Sequence, residues 1–388
     1  MPTSSAINFD ALVAEAVKQT GLADFGDDSF REPLRRLLLG LEQEAELNEL
    51  GRTIQRERLL GFLINRLRFE ELWKRHPEIG EEKIAPPLVI IGLGRTGTTM
   101  LQRLLAADER FYAPLWWETR FPVPFPGETI ERPDKRIEAA IEEVRLMYQT
   151  VPNLSAIHPM DALQADEDIL LLEQSFFSTT PESFARITAY GNWLDTQDQT
   201  PGYRYLKRLL QSLQWQKRKR GIIADRWLLK SPHHIHHTEV LLKVFPDAQI
   251  IQTHRDPVTV IPSWASLIYS LWRQSSDVAD PVEVGNYWNE KMATGLERCL
   301  RVRDSGEQSR WLDIDYREAA ADPIAVLQKI YRFIGIEFGD GNRQAAESWL
   351  QGNAREDRAP HLYTPEMFGF TEAKIRERYA AYIERFIR

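Results

Sequence analysis

The sequence predicts an α/β protein with a doubly wound, mostly parallel sheet flanked by helices, preceded by a helical extension and interrupted by a helical insertion. Short apolar runs alternate with segments whose apolar residues recur at helical spacing. The first such run, residues 88–91, leads into a glycine-rich loop and then into a predicted helix. This order of strand, loop and helix is typical of α/β proteins that bind phosphate groups.

Composition excludes several broad classes of protein. With 388 residues, of which 43% are hydrophobic and 27% charged, the chain can bury a large core. The net charge of −8 argues against nonspecific nucleic-acid binding. The single cysteine, Cys299, excludes an intramolecular disulfide framework. Because we find no secretory signal and no apolar run of membrane-spanning length, we expect a cytoplasmic protein without a transmembrane segment.

Residues 1–82 are predicted to form an N-terminal helical region, and residues 83–388 an α/β domain. Ser29 and Glu32 have the spacing of a helix-capping box. A later helix carries an apolar stripe at helical spacing, made of Leu60, Leu63, Ile64 and Leu67. Core packing explains this stripe, although a helical cap over an apolar substrate has the same pattern. A homodimer through these helices is a hypothesis that nothing in the sequence supports.

The strands of the α/β domain define where a site should lie. Beyond the first strand, we predict strands over residues 226–229, 248–252 and 310–314. Residues 125–220 are predicted to form the helical insertion. Ligands of parallel sheets bind beyond the carboxyl ends of the strands. The candidate site loops are therefore residues 92–99, 230–237 and 254–257.

The first loop has the spacing of a nucleotide-binding P-loop, with Gly92, Gly97 and then the hydroxyl of Thr99. Thr98 stands where that motif requires lysine, so the predicted fold is P-loop-like. A triphosphate needs the lysine, whereas a donor with a single bridged phosphate pair can be held by loop amides, hydroxyl groups and Arg95. We therefore expect a donor other than ATP, although a nucleotide kinase or NTPase remains the alternative.

The third loop places Arg255 at a strand end and Ser263 eight residues later, on the next predicted helix. An Arg-Asp-Pro turn is often only a salt-bridged helix cap. Together with the first loop, however, it indicates a donor that carries two separate anionic groups.

Three ordered motifs resemble sulfotransferases that use 3′-phosphoadenosine 5′-phosphosulfate. The motifs are Gly-Leu-Gly-Arg-Thr-Gly-Thr-Thr at 92–99, Leu-Leu-Lys-Ser-Pro-His-His at 228–234 and Gln-Thr-His-Arg-Asp-Pro at 252–257. Residues 362–370 are also similar to the tail of bacterial members. The resemblance runs from about residue 87 to the C-terminus, and it implies transfer of a sulfuryl group to a hydroxyl.

The resemblance also implies roles for individual residues. Contacts to the 5′-phosphosulfate are implied for Arg95, Thr96, Gly97, Thr98 and Thr99. Contacts to the 3′-phosphate are implied for Arg255 and Ser263, and Tyr316 is similar to a tyrosine near the adenosine. The basic segment that closes over the 3′-phosphate in animal cytosolic members is absent. Candidates for its role are Arg355, Arg358 and His361.

The expected reaction is an in-line displacement, which needs a cation and a base. Lys230, at a strand end, is the candidate for stabilising the leaving oxygen. Glu118 follows Arg95 by a spacing similar to that of the glutamate base in protein-tyrosine and bacterial glycolipid sulfotransferases. The adjacent Trp116 and Trp117 are expected to raise its pKa, and pairing with Arg120 is the structural alternative.

Two histidines, His233 and His234, are rival bases, because cytosolic sulfotransferases use a histidine just after the matching lysine. We expect no metal site in residues 233–237, since helix capping and acceptor-site lining explain these histidines. The acidic run at 166–168 is interpreted as the solvated face of a helix.

Aromatic residues are frequent between residues 112 and 125, and further ones are Trp264, Tyr269 and Trp272. They suggest an apolar pocket for a small-molecule or lipid-like alcohol as acceptor. A non-catalytic nucleotide-binding protein is the second alternative to a sulfotransferase.

Overall fold

In the computed structural model, which describes residues 7–150, 159–353 and 363–387, a five-stranded parallel sheet is covered by helices on both faces. This confirms the predicted doubly wound α/β fold. The strands are β1 (Leu88–Gly92), β2 (Phe111–Tyr112), β3 (Arg226–Lys230), β4 (Gln249–His254) and β5 (Trp311–Asp315). Sequence analysis missed β2, since two residues are too short to show a strand pattern.

Helices make up most of the rest of the described chain. Those before β1 are α1 (Phe9–Thr20), α2 (Arg31–Gln43) and α3 (Glu49–Arg75). Between β1 and β3 follow α4 (Thr98–Ala106), α5 (Trp116–Arg120), α6 (Asp134–Thr150), α7 (Ile169–Leu172), α8 (Thr180–Phe184), α9 (Thr188–Leu194) and α10 (Thr200–Lys219). The later helices are α11 (Thr238–Val244), α12 (Pro257–Ser275), α13 (Pro281–Ser305), α14 (Tyr316–Ala321), α15 (Pro323–Ile334), α16 (Asp340–Gly352), α17 (Glu372–Arg378) and α18 (Ala380–Phe386).

The strand order is β2-β3-β1-β4-β5, so β1 lies at the centre of the sheet. Every strand pair is parallel, and Val89 of β1 lies opposite Leu229 of β3 and Ile250 of β4. The first strand is therefore buried on both edges as well as on both faces. This explains why it was read as a continuous apolar run.

The side chains of alternate residues of β1 point to opposite faces of the sheet, because the side chains of a strand repeat every two residues. Leu88 and Ile90 pack in a core with α4, α15 and α16. Val89 and Ile91 pack in a second core with α10, α11, α12 and α13. Helices thus cover both faces of the sheet.

The N-terminal helices pack in a third core. The predicted stripe on α3 packs here, with Leu63 and Leu67 fully buried, which supports the core-packing interpretation. This core also includes Phe176, Tyr190 and Leu194 from the segment between β2 and β3. Because this core joins residues on both sides of residue 82, the predicted boundary between a helical region and an α/β domain stays a prediction. The homodimer also stays a prediction.

The predicted capping box at Ser29 was wrong. Helix α2 begins at Arg31 and has no side-chain cap, and the amide of Ser29 instead donates to the carboxylate of Asp27. A short 3₁₀ turn, Asp28–Phe30, occupies the position where the helix was expected to begin. Within the described ranges, no helix combines the length and apolar character needed to cross a membrane.

Helix α3 is docked to α12 through a close backbone contact at Gly51. A Cβ atom at Gly51 would lie 2.3 Å from the carbonyl oxygen of Ser275, whereas one at Gly61 of the same helix would meet no atom within 4 Å. We expect Gly51→Ala to lower the free energy of unfolding by about 1–3 kcal/mol, because the helix must shift away from α12. Chemical denaturation measures this change.

The matched control is Gly61→Ala, which we expect to raise the free energy of unfolding by up to about 1 kcal/mol through helix propensity. An unchanged or increased stability of Gly51→Ala would contradict the proposed docking contact.

Candidate active site

The carboxyl ends of β3, β1 and β4 lie side by side at one edge of the sheet. The chain leaves β1 towards β2 and leaves β4 towards β5, which lie on opposite sides of β1. A crevice forms at such a switch point, and ligands of parallel sheets bind there. The three loops predicted from sequence all lie at this edge.

The loop between β1 and α4 has a backbone suited to anion binding. Arg95 and Gly97 have positive φ angles of 69° and 81°. Gly97 caps α4 without a side-chain hydrogen bond, so the first amides of the helix are left for a ligand. Thr96 turns inward, where its hydroxyl contacts the Leu93 carbonyl and the Thr253 hydroxyl, each at 2.7 Å. Its side chain braces the loop instead of reaching into the crevice.

Two aromatic side chains form walls directly against this loop. A Cβ atom at Gly94 would lie 2.2 Å from Cε3 of Trp264, and one at Gly97 would lie 3.0 Å from Cδ2 of Tyr316. These glycines are therefore required by close packing as well as by backbone conformation. The sequence predicted the glycines but not the contact with Trp264.

The residues predicted for the second anion meet beside the loop. Nε of Arg95 donates to Oγ of Ser263 at 3.2 Å, and Nη1 of Arg255 donates to the carbonyl oxygen of Arg95 at 2.8 Å. The guanidinium carbon of Arg255 lies 4.0 Å from the centroid of the Tyr316 ring, which is a cation–π contact. Two arginines, a serine and a tyrosine thus form a cationic corner.

Lys230, the last residue of β3, reaches the same loop from the neighbouring strand. Its side chain is 1% exposed. The ammonium group donates to Oγ1 of Thr99 at 3.3 Å and to Oε1 of Glu167 at 2.6 Å. A buried cation therefore lies beside the start of α4, where the P-loop pattern lacked its lysine.

Glu167 is the residue that sequence reasoning missed. The acidic run at 166–168 was interpreted as a solvated helix face, and this was wrong, since the side chain of Glu167 is 20% exposed and Asp168 is fully buried. The run does not belong to a helix, because α7 begins only at Ile169, so its residues do not share a helix face.

Burial raises the pKa of the Glu167 carboxyl above the ordinary value of a glutamate. Lys230 acts in the opposite direction, while the negative charges of Asp166 and Asp168 raise the pKa further. A carboxylate with a raised pKa next to a buried ammonium is suited to accepting a proton in a reaction.

Asp168 anchors this arrangement. Its Oδ1 accepts a hydrogen bond from the backbone amide of Lys230 at 2.7 Å, and its Oδ2 lies 2.8 Å from Nε2 of His234. The other ring nitrogen of His234 contacts the hydroxyl of Tyr203 at 2.8 Å. Both nitrogens of His234 are therefore engaged in the protein interior.

His233 is also fully enclosed. Its Nδ1 lies 3.1 Å from Oγ1 of Thr179, and its ring lies 4.7 Å from that of His237. Burial lowers the pKa of His233 well below its ordinary value, and the neighbouring histidines and Lys291 add to this effect. Among the residues described, no group of histidines, cysteines or carboxylates has the arrangement of a metal site.

Glu118 lies in a buried ion cluster. Its carboxylate accepts hydrogen bonds from Lys217 at 2.6 Å and from Arg220 at 2.8 Å. Burial alone would raise the pKa of Glu118, but these two cations outweigh it and lower the pKa. The expected rise towards neutrality was therefore wrong. Arg120, the alternative partner, pairs with Glu143 instead.

Most of the aromatic residues suggested for an acceptor pocket belong to the core. Tyr112, Trp116 and Trp117 are buried, and Trp272 is 1% exposed and donates from Nε1 to the Glu182 carbonyl. Trp264, which is partly exposed, lies against the site loop. The three basic residues suggested for the closing segment, at positions 355, 358 and 361, lie outside the described residues.

Comparisons with known proteins agree with this geometry. Residues 86–340 match the sulfotransferase family. The omega-hydroxy-beta-dihydromenaquinone-9 sulfotransferase Stf3 of Mycobacterium bovis is 29% identical over 269 residues, which are 66% of this chain and 65% of that protein. The chain thus matches slightly less than two thirds of this relative.

Two solved structures are similar over nearly the whole chain. The crystal structure of sulfotransferase STF1 from Mycobacterium tuberculosis superposes with a TM-score of 0.84 at 31% identity, covering 97% of this chain and 100% of that one. Sulfotransferase STF9 from Mycobacterium avium superposes with a TM-score of 0.88 at 28% identity, covering 100% of this chain and 98% of that one.

The buried position of Glu118 predicts a structural role. We expect Glu118→Gln to lower the free energy of unfolding by about 3–5 kcal/mol, because Lys217 and Arg220 then lose their counter-charge inside the protein. Chemical denaturation measures the effect. As a control, Glu142→Gln removes an exposed carboxylate that pairs with Arg145, and it should change stability little. A similarly small effect for both variants would contradict the structural assignment.

Proposed function

The chain belongs to the sulfotransferase family, and from this we propose that it transfers a sulfuryl group from 3′-phosphoadenosine 5′-phosphosulfate to a hydroxyl of a lipid-like acceptor. One observation carries the proposal: the Lys230 ammonium lies between the hydroxyl of Thr99 and the carboxylate of Glu167. A cation for the leaving group and a base for the acceptor are thus adjacent at the anion-binding loop.

The loop residues fit the sulfated 5′ end of the donor. The loop amides, the N-terminus of α4 and the hydroxyls of Thr98 and Thr99 supply donors for oxyanions. Arg95 adds a guanidinium, and Lys230 supplies from β3 the cation that the loop lacks at position 98. Glycine is needed at positions 94 and 97 because the rings of Trp264 and Tyr316 pack directly against the backbone there. The loop that would bind the donor is thus bordered by two aromatic rings.

The cationic corner fits the 3′-phosphate. Arg255 is held over the Tyr316 ring, which fixes its guanidinium plane, and Ser263 offers a hydroxyl beside Arg95. A donor with phosphate groups at both its 5′ and 3′ positions would be held at two separated points. We propose that Tyr316 also borders the adenosine.

The residues then divide the chemistry between them. The Glu167 carboxylate takes the proton of the acceptor hydroxyl as the new O–S bond forms. Lys230 and Thr99 stabilise the negative charge that develops on the bridging oxygen as its bond to sulfur breaks. We assign the base to Glu167 and not to His233 or Glu118, because Glu167 contacts Lys230, whereas Glu118 is paired with Lys217 and Arg220 and His233 contacts Thr179.

A lipid-like acceptor is supported by partly exposed aromatic residues near the site and by a named relative. Leu267 and Leu271 of α12 pack with Phe184 and with Trp264, which forms the wall of the loop. The named relative acts on a hydroxylated menaquinone derivative. We propose an acceptor of the same chemical class, with a hydroxyl on a long apolar body, that contacts the exposed parts of Trp264 and Phe184.

The donor assignment predicts a specific binding pattern. Full-length protein should bind 3′-phosphoadenosine 5′-phosphate at micromolar concentration in calorimetry, and ATP far more weakly, since the loop lacks the lysine of a P-loop. Arg255→Ala should weaken binding at least tenfold, because a charged hydrogen-bond donor is lost.

The control is Arg273→Ala, which removes an exposed arginine of α12 and should leave binding unchanged. Preference for ATP would instead favour a nucleotide kinase or NTPase.

The base assignment predicts a change in turnover without a change in donor binding. Glu167→Gln should lower kcat by about 10²–10⁴-fold with a hydroxylated menaquinone analogue as acceptor. A base must be deprotonated, so the wild-type rate should fall as pH falls through the raised pKa of Glu167, above the ordinary glutamate range.

The residual activity of Glu167→Gln should not show this fall in rate at low pH. Unaltered kcat would exclude Glu167 as the base, and binding of the bisphosphate without any wild-type turnover would favour a non-catalytic nucleotide-binding protein.

A further inference from the structure

A groove of about 580 Å³ lies between the end of α1, the second half of α3 and residues 123–131. This volume is within the range of about 300–1,000 Å³ that is common for small-molecule sites. None of the residues that line the groove belongs to the three loops at the carboxyl edge of the sheet. It is therefore separate from the proposed donor site.

Much of the groove wall is apolar. Its apolar lining residues are Leu22, Leu72, Val123, Pro124, Phe125, Pro126 and Ile130. Such a wall favours a ligand with a hydrocarbon body.

The guanidinium of Arg68 is set into this wall. Arg68 is half-buried, and its guanidinium carbon lies 5.6 Å from the centroid of the Phe125 ring. Within the described part of the chain, no hydrogen bond or ion pair engages it. Burial lowers the pKa of Arg68, and no carboxylate offsets this effect. A half-buried charge without a described counter-ion can take an anionic ligand as its partner.

Arg68 differs in this respect from the other arginines of its helix. Each of the others has a described hydrogen-bond partner: Arg52, Arg56, Arg58, Arg66 and Arg75. Three carboxylates, those of Glu71, Glu128 and Glu131, also line the groove, and none of them pairs with Arg68. Glu71 pairs with Arg75, Glu128 pairs with the buried Arg136, and Glu131 is exposed on the rim.

We propose that this groove binds an amphipathic monoanion, a carboxylate or a sulfate ester on a hydrocarbon body, with Arg68 holding the anionic group. The charge of Arg68 selects for the anion, and the apolar wall holds the chain attached to it.

The first test compares an anion with its neutral counterpart. Full-length protein saturated with 3′-phosphoadenosine 5′-phosphate is titrated with decanoate, decyl sulfate and decan-1-ol. We expect at least one of the anions to bind tenfold or more tightly than the alcohol, and the stronger of the two identifies the class of anion.

Two variants locate this selectivity. Arg68→Gln should abolish the preference for the anion. Arg56→Gln removes the same charge from the exposed face of the same helix and should preserve the preference. Equal binding of anion and alcohol, or anion preference that persists in Arg68→Gln, would overturn the proposal.

A second measurement uses stability. In the absence of the anion, Arg68→Gln should unfold at a higher temperature than wild type, because an unpaired, half-buried charge is removed. The preferred anion should raise the melting temperature of wild type but not of Arg68→Gln. A lower melting temperature of Arg68→Gln without ligand would show that Arg68 serves the fold. Loss of donor binding in Arg255→Ala tests the proposed transferase function separately.

Discussion

A single buried carboxylate, Asp168, holds the site together. It receives the backbone amide of Lys230 at 2.7 Å and faces the ring of His234 at 2.8 Å. These contacts tie the segment before α7 to the end of β3, although the two are separated by about sixty residues of helical chain. Because Glu167 is next to Asp168, its carboxylate is brought within 2.6 Å of the Lys230 ammonium. The proposed base and the proposed cation are thus positioned by one anchor.

The parallel sheet explains how the missing loop lysine is replaced. Lys230 of β3 lies opposite Ile90 of β1 in the register of the sheet, two residues before β1 ends and the loop begins. A long side chain at that point reaches the hydroxyl of Thr99 at the start of α4. The cation therefore comes from a neighbouring strand, and the same edge receives Arg255 from the end of β4. A doubly wound sheet gathers these groups because all its strands end on one side.

Two glutamates show the limits of spacing as a guide to function. Glu118 had a suggestive distance from Arg95 along the chain, yet it is neutralised by Lys217 and Arg220 in the interior. Glu167 had no motif of its own, yet it lies beside Lys230. Both lie near buried cations, and what separates them is where the surrounding helices place those cations. This information is carried by packing between distant segments.

The sequence by itself determined the fold class, the strands β1, β3, β4 and β5 to within about two residues, and the loop with its arginine, glycines and threonines. These features depend on the spacing of apolar residues and on local backbone conformation, and both are determined by residues that are close in sequence. It also predicted Arg255, Ser263 and Tyr316, which meet beside the loop. Only the tertiary structure showed that Glu118 is buried beside Lys217 and Arg220, that His234 contacts Asp168, and that Glu167 faces Lys230. Burial and counter-charge control these roles, and both arise from contacts between residues far apart in the chain.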